Sequence, residues 1–272
     1  MIESHPVWSR RRISIELATI WDWRTGKGRL KDMAARSLLL KLERRGMVTL
    51  PPSRRRIPRR VLVSTTDFVN QLPPPEVIVD PLEDLQPIRL SAIAPGSSDH
   101  LLFCRYLAHH HYLGFRGPVG ENIGYLARDL HGRDLACLLF GAAAWKTGPR
   151  DRWIGWDDAT RSRRLQFLAN NSRFLILPWV RVSHLASHLL GRVARRLAAD
   201  WQARYGHPVH LVETFVERRR FQGTCYRAAN WTCVGQTQGR TRQDRNREIS
   251  VPVKDVYLYA LTPRFREAMR DN

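Results

Sequence analysis

The stretch Glu213 to Trp231, ETFVERRRFQGTCYRAANW, gathers side chains that carry protons and hydrogen bonds. Glu213 or Tyr226 suits transfer of a proton to or from an exocyclic amine, and Cys225 between them adds a thiol. Thr214 and Thr224 supply hydroxyls, Asn230 an amide matched to a base edge, and Trp231 a face on which a base can stack. A second polar group, Asn171, Ser172 and Arg173, precedes the apolar run FLILPWV, and its guanidinium suits a phosphate held through two parallel hydrogen bonds. Each residue also has a plain structural reading: Arg173 with Glu213 as a buried ion pair, Tyr226 and Trp231 as core aromatics, Asn230 as a helix end. These groups share corresponding ends of neighbouring elements, and the joint case for a site rests on that.

The elements that would position them follow from periodicity. Residues 170–192 read as a buried apolar strand running into a helix. Residues 209–216 read as a strand, with a turn at Gly223, a short helix through Cys225 and Tyr226, and a closing strand at Cys233 and Val234. A strand, helix, strand, loop, helix, strand unit opens a crevice at the strand ends of an α/β sheet. Upstream, a helix over Asp99–His109 and strands over Asn122–Ala127 and Asp134–Ala144 extend the sheet. A helix over Asp158–Leu168 leads into a strand at Phe174–Pro178, a helix over His184–Leu197 continues towards Tyr205, and VKDVYLYAL closes the sheet. The fold class is α/β with a mixed sheet flanked by helices.

At 272 residues with 43% hydrophobic residues, the chain can build a large core, and a net charge of +20 points to a polyanion, nucleic acid first. Residues 1–60 hold 16 Lys or Arg against 5 acids, residues 61–100 hold 1 against 6, and residues 101–272 hold 28 against 14. This divides the chain into a basic lobe (1–63), an acidic, proline-rich linker (64–97) and a second lobe (98–272). In the first lobe, helix, turn, helix, Gly46, a strand at Met47–Leu50 and the run Arg54, Arg55 and Arg56 follow the order of a winged helix. Its second helix would present Arg36, Lys41, Arg44 and Arg45 to duplex DNA. In the second lobe Lys146, Arg150 and Arg152 alternate with Trp145, Trp153 and Trp156, a mixture that serves phosphates and bases. The polar loop GRTRQDRNRE adds Arg240, Arg242 and Arg245.

His109, His110 and His111 are adjacent, and adjacent helical residues do not converge on one ion, so no metal is expected. Four cysteines without CxxC spacing read as reduced thiols. No window approaches 18 apolar residues and no signal-peptide run opens the chain, so the expectation is a cytoplasmic protein without a membrane partner.

NNSRFLILPWVRVSHLASHLLGRVARRL, LVETFVERRRFQGTCYRAANWTCVGQTQGRTRQDR and KDVYLYAL closely resemble the DruA-like family, named for a component of the Druantia anti-phage system and found in transposon-associated proteins. GTCYRAANW also resembles the GT-x-Y-x-A-x-N-W block of phage Mom-type DNA-modification proteins, whose fold is similar to GNAT acyltransferases. The resemblance implies a V-shaped opening beside a splayed central strand. It also implies an acyl-CoA whose pyrophosphate sits at a helix start. RVSHLASHLLG lacks the glycine-rich R/Q-x-x-G-x-G/A loop of such sites, so the cofactor stays open, with a nucleotide or a DNA phosphate as other occupants. The expected function is DNA binding in phage defence or mobile elements, with modification of a base through Glu213, Cys225 or Tyr226. The alternative is a non-catalytic recognition module serving a transposase, helicase or nuclease. A nuclease or recombinase is weaker, because no paired-carboxylate metal motif stands out.

Overall fold

A computed structural model describes residues 2, 4–5, 8–24, 28, 30–52, 76–239 and 251–270. The chain divides into two compact units, Met1–Thr65 and Thr66–Asn272.

The first unit is a helical pair. Helix α1 (Arg10–Ile20) starts where the Ser9 hydroxyl accepts the Arg12 N–H, and α2 (Asp32–Arg44) follows. Ile13, Leu39 and Leu50 form a small core, and Arg10 clamps both carboxylate oxygens of Glu43 at 3.1 and 2.9 Å. Arg36, Lys41, Arg44 and Arg45 are all exposed, as amphipathic spacing requires. Val48–Leu50 forms no regular secondary structure and pairs with no strand among the described residues, in place of the strand expected at Met47–Leu50. The run Arg54, Arg55 and Arg56 lies outside the described residues.

The second unit is a seven-stranded mixed sheet, ordered β1-β2-β3-β4-β5-β7-β6. The strands are β1 (Arg89–Ala92), β2 (Asn122–Arg128), β3 (Asp134–Ala142), β4 (Leu168–Ile176), β5 (Leu211–Glu217), β6 (Thr232–Gln236) and β7 (Lys254–Ala260). Every neighbouring pair is antiparallel except β4 and β5. Helix α3 (Ser98–His110) leads towards β2, and α4 (Gly148–Ile154) and α5 (Asp158–Arg164) connect β3 to β4. Helices α6 (Leu185–Ala194) and α7 (Leu197–Tyr205) cross from β4 to β5. Helix α8 (Thr224–Ala228) joins β5 to β6, and α9 (Phe265–Met269) ends the described chain.

The acidic stretch does more than link. Within its described part, 76–97, Ile78, Leu85, Ile88, Leu90 and Ile93 are all at most 6% exposed within the main core, and β1 forms the sheet edge. The apolar positions of Val77–Val79 and Ile88–Leu90 suggest short strands within the linker, and an edge strand tolerates proline where a central strand does not.

Two further departures meet at β4. The helix expected to reach Leu168 stops at Arg164, one 3₁₀ turn follows over Leu165–Phe167, and β4 starts at Leu168. The polar run Asn170–Arg173, read as a lead-in, lies inside the strand because β4 carries a bulge: Leu139 pairs with Arg173 and Phe140 with Asn171, leaving Ser172 over. A bulge bends a strand and re-aims its side chains. Pairing of β4 with β5 is confined to Leu168, Ala169 and Asn170 against Leu211, Val212 and Glu213. Beyond Asn170 the two parallel strands part, giving the V-shaped opening.

Candidate functional site

A cavity of about 580 Å³ fills that opening. Its walls come from the bulged half of β4, the Thr214–Val216 part of β5, the turn and helix at Gly223–Tyr226, Ala186 near the start of α6, and His110–Leu113 after α3. Among the described residues, no Lys, Arg, Asp or Glu lines it.

The bulge explains the polar floor. At the bulge Asn171 Nδ2 donates to the Leu139 carbonyl at 3.2 Å while also donating to the Arg173 carbonyl at 3.2 Å. Both amide protons are thereby used, so Oδ1 is the acceptor, and the Tyr226 hydroxyl donates to it at 2.8 Å. Thr214 donates its hydroxyl to the Asn171 carbonyl at 3.0 Å. Tyr226 and Thr214 therefore keep oxygen lone pairs as acceptors. Burial drives the Tyr226 phenol well above its ordinary value, so at neutral pH it is a hydroxyl and not a phenolate.

In the lining contributed by the segment after α3, His111 Nδ1 accepts the Leu113 N–H at 3.2 Å, which assigns the proton of the neutral ring to Nε2 as a donor. Burial and the charge of Arg173 lower the His111 pKa to about 4, keeping it neutral. Burial raises the Cys225 thiol, so it too is uncharged.

Gly223 permits α8 to sit here. Its φ is +69°, and a Cβ would stand 2.5 Å from the Tyr257 hydroxyl. Tyr226, 8% exposed, stacks beside Tyr257 with ring centroids 5.8 Å apart and meets Trp231 edge-on at 5.1 Å.

Of the residues singled out in the sequence, Asn171, Ser172, Thr214, Thr224, Cys225 and Tyr226 line the cavity. Arg173 does not, because its Nε donates to the Gly114 carbonyl at 3.1 Å and its Nη1 to the Ser172 carbonyl at 2.7 Å. Asn230 is exposed in a left-handed conformation after α8, and Trp231 packs behind the wall between Tyr226 and Tyr259.

Glu213 lies apart, since side chains alternate along β5 and Thr214 takes the cavity side. Glu213 is fully buried and accepts from the Ala144 N–H at 2.7 Å and from Arg150 Nη1 at 2.9 Å. Its ion-pair partner is thus Arg150, not Arg173. Burial raises its carboxyl while Arg150 opposes that shift. Arg150 is itself 0% exposed and also pairs with Asp151 at 2.7 Å, so it is withdrawn from any DNA contact expected of it. Lys146 is exposed and 3.3 Å from Asp158, while Arg152 is exposed. Trp153 stacks on Phe265 at 5.2 Å and Trp156 donates to the Met269 carbonyl, so both serve packing, whereas Trp145 is 50% exposed. Arg240, Arg242 and Arg245 lie outside the described residues.

Sequence reasoning weighed the three histidines against a metal and missed that the end of α3 closes the cavity. The signal was present in HYLGF after the helix and in Phe221 after three arginines, as two aromatic loops flanking one crevice. Among the described residues no group of three His, Cys, Asp or Glu is disposed to hold an ion, and no helix is long and apolar enough to cross a membrane.

The family model described as Druantia protein DruA matches residues 42–270. A search of curated proteins finds no match. Among solved structures, the chain is similar to the spermidine/spermine N-acetyltransferase SpeG from Vibrio cholerae in complex with manganese ions. Identity there is 10%, over 66% of this chain and 96% of that one, with a TM-score of 0.38. It is also similar to the Vibrio cholerae spermidine N-acetyltransferase in complex with CoA and spermine, at 10% identity over 64% and 95% of the two chains, with a TM-score of 0.41.

Proposed function

The chain belongs to the Druantia protein DruA family of anti-phage defence, and from that premise we propose that it binds DNA through its basic surface and receives an unstacked nucleobase between β4 and β5. Membership of a multi-protein defence system implies the other proteins of that system as partners. One observation carries the reading of the cleft: in a chain of net charge +20, no Lys or Arg among the described residues lines this cavity. Such a lining suits an uncharged ring and leaves phosphates outside.

The volume falls in the usual range for ligand pockets, about 300–1,000 Å³. Phe174 and Tyr226 give aromatic walls, Tyr226 and Thr214 give acceptors, and His111 gives a donor. Exocyclic amines and ring nitrogens of bases are complementary to that set. Exposed Arg36, Lys41, Arg44 and Arg45 on α2 would contact duplex phosphates in a winged-helix manner. Since extruding a base is easiest where pairing is already lost, duplexes carrying one mismatch should bind tighter than matched ones. Equal affinity for both would overturn the base-binding reading.

Modification of the base is the second reading, favoured by Cys225 and Tyr226 among the lining residues. Acyl-CoA would have to place its pyrophosphate outside this uncharged wall. Nucleoside mass analysis of DNA incubated with the protein in cell extract separates the readings. A new nucleoside lost with Tyr226→Phe establishes an enzyme, and bound but unaltered DNA establishes a recognition module.

A further inference from the structure

Two loops meet at the mouth of the cavity. After α3, Tyr112 and Leu113 stand 36% and 47% exposed, and after β5, Phe221 stands 49% exposed. The Tyr112 and Phe221 rings touch, with centroids 5.3 Å apart and planes at 60°. Large apolar rings left in water at a cavity rim contribute little to the core, and such patches mark contact surfaces.

The charge around them has one sign facing out. Arg218, Arg219 and Arg220 are exposed, and Arg220 lies 5.1 Å over the Tyr112 ring. Their acidic neighbours are held loosely: Arg218 is 3.5 Å from Asp255 and Arg220 is 3.4 Å from Glu217, with both arginine side chains more than half exposed. Arg219 makes no ion pair among the described residues. Long pairs whose guanidinium ends face solvent contribute little, which leaves those ends open to a phosphate.

We infer that this rim is a stacking platform for single-stranded DNA, with the neighbour of the inserted base on Phe221 and Tyr112 and the flanking phosphates on Arg218–Arg220. The inference rests on the base-binding reading of the cavity and adds the strandedness of the partner. Aromatic rings beside guanidinium groups hold single strands with little sequence preference. Within a duplex, each base is already stacked and cannot lie on these rings.

The test uses the full chain and a short fluorescein-labelled DNA strand of mixed sequence, its duplex, and the RNA of the same sequence, read by anisotropy. Phe221→Ala and Tyr112→Ala should each weaken single-strand binding about 5- to 150-fold, leave duplex affinity as in the parent, and leave the salt dependence unchanged. Phe221→Trp should restore it. Each variant's melting is measured beside it, and Phe221→Leu keeps the apolar contact if Phe221→Ala proves unstable.

Folded variants that bind the single strand like the parent overturn the inference. So do equal losses for strand and duplex, tighter binding of the RNA, or a parent that binds no single strand. A 2-aminopurine in the strand separates this inference from its premise. If it brightens while the rim variants bind normally, the rim assignment fails and the cavity reading stands. If it stays dark while Phe221→Ala weakens binding, the cavity reading fails and the platform stands.

Discussion

Tyr226 donates its hydroxyl proton to Asn171 Oδ1 at 2.8 Å, and both amide protons of Asn171 are used on the Leu139 and Arg173 carbonyls beside the β4 bulge. The bulge thereby fixes the polarity of the site: the tyrosine oxygen is left as an acceptor. Asn171→Leu leaves the Leu139 carbonyl and the Tyr226 hydroxyl without these partners. It should cost about 1–3 kcal/mol per group left unpaired. Tyr226→Phe, which strands only one acceptor lone pair, should cost less. Urea denaturation of both variants checks the order.

The Arg150–Glu213 pair lies wholly buried on the other side of the sheet. Removing Arg150, as in Arg150→Met, leaves the buried Glu213 carboxylate with the Ala144 N–H but no cation and should destabilise by about 3–5 kcal/mol. Arg150→Met with Glu213→Leu should recover most of that loss. A double-mutant cycle by denaturant unfolding decides it, and strict additivity would show that the pair is not coupled.

Gly223→Ala combines a positive φ with a Cβ only 2.5 Å from the Tyr257 hydroxyl. It should lower stability by at least about 1–3 kcal/mol from the backbone alone and displace α8. Near-native melting would place the turn differently.

The neutral His111 gives a pH dependence with a definite sign. Its folded pKa of about 4 lies below the ordinary 6.5, so the unfolded chain binds more protons between those values. Stability from this group is complete above about pH 6.5 and is lost as pH falls towards 4. His110, His188 and His210 are lowered in the same direction by burial. Melting temperature followed from pH 7 to 4 should fall, and His111→Gln should flatten part of the slope.

DNA affinity of the +20 chain should fall by roughly 10³-fold or more between about 50 and 200 mM salt. Changing Arg36, Lys41, Arg44 and Arg45 to Gln should make duplex binding less steep in salt. An unchanged slope would remove α2 from the interface.

Much of this architecture is legible in the sequence. The strands expected over 122–127, 134–144 and 209–216 overlap β2, β3 and β5, and the helical spacing of Leu185, Leu189, Leu190 and Val193 marks α6. The polar cluster Asn171, Thr214, Cys225 and Tyr226 also lines one cavity. Three things were hidden for physical reasons. A bulge has no periodic signature, so Asn170–Arg173 read as a lead-in to the strand. Alternation on β5 puts Glu213 and Thr214 on opposite faces, which a list of reactive residue types does not reveal. Arg150 looked like a phosphate ligand because a buried guanidinium and an exposed one have the same letter, and only the tertiary approach of β5 to α4 distinguishes them.

The central claim is that a base enters the β4–β5 cavity, and 2-aminopurine fluorescence tests it most directly. A duplex carrying the probe opposite a mismatch should brighten when the parent protein binds. Ala186→Trp, which fills the cavity from α6, should still bind DNA by anisotropy but leave the probe dark. Fluorescence that stays quenched with the parent, or brightens equally with Ala186→Trp, would contradict the account.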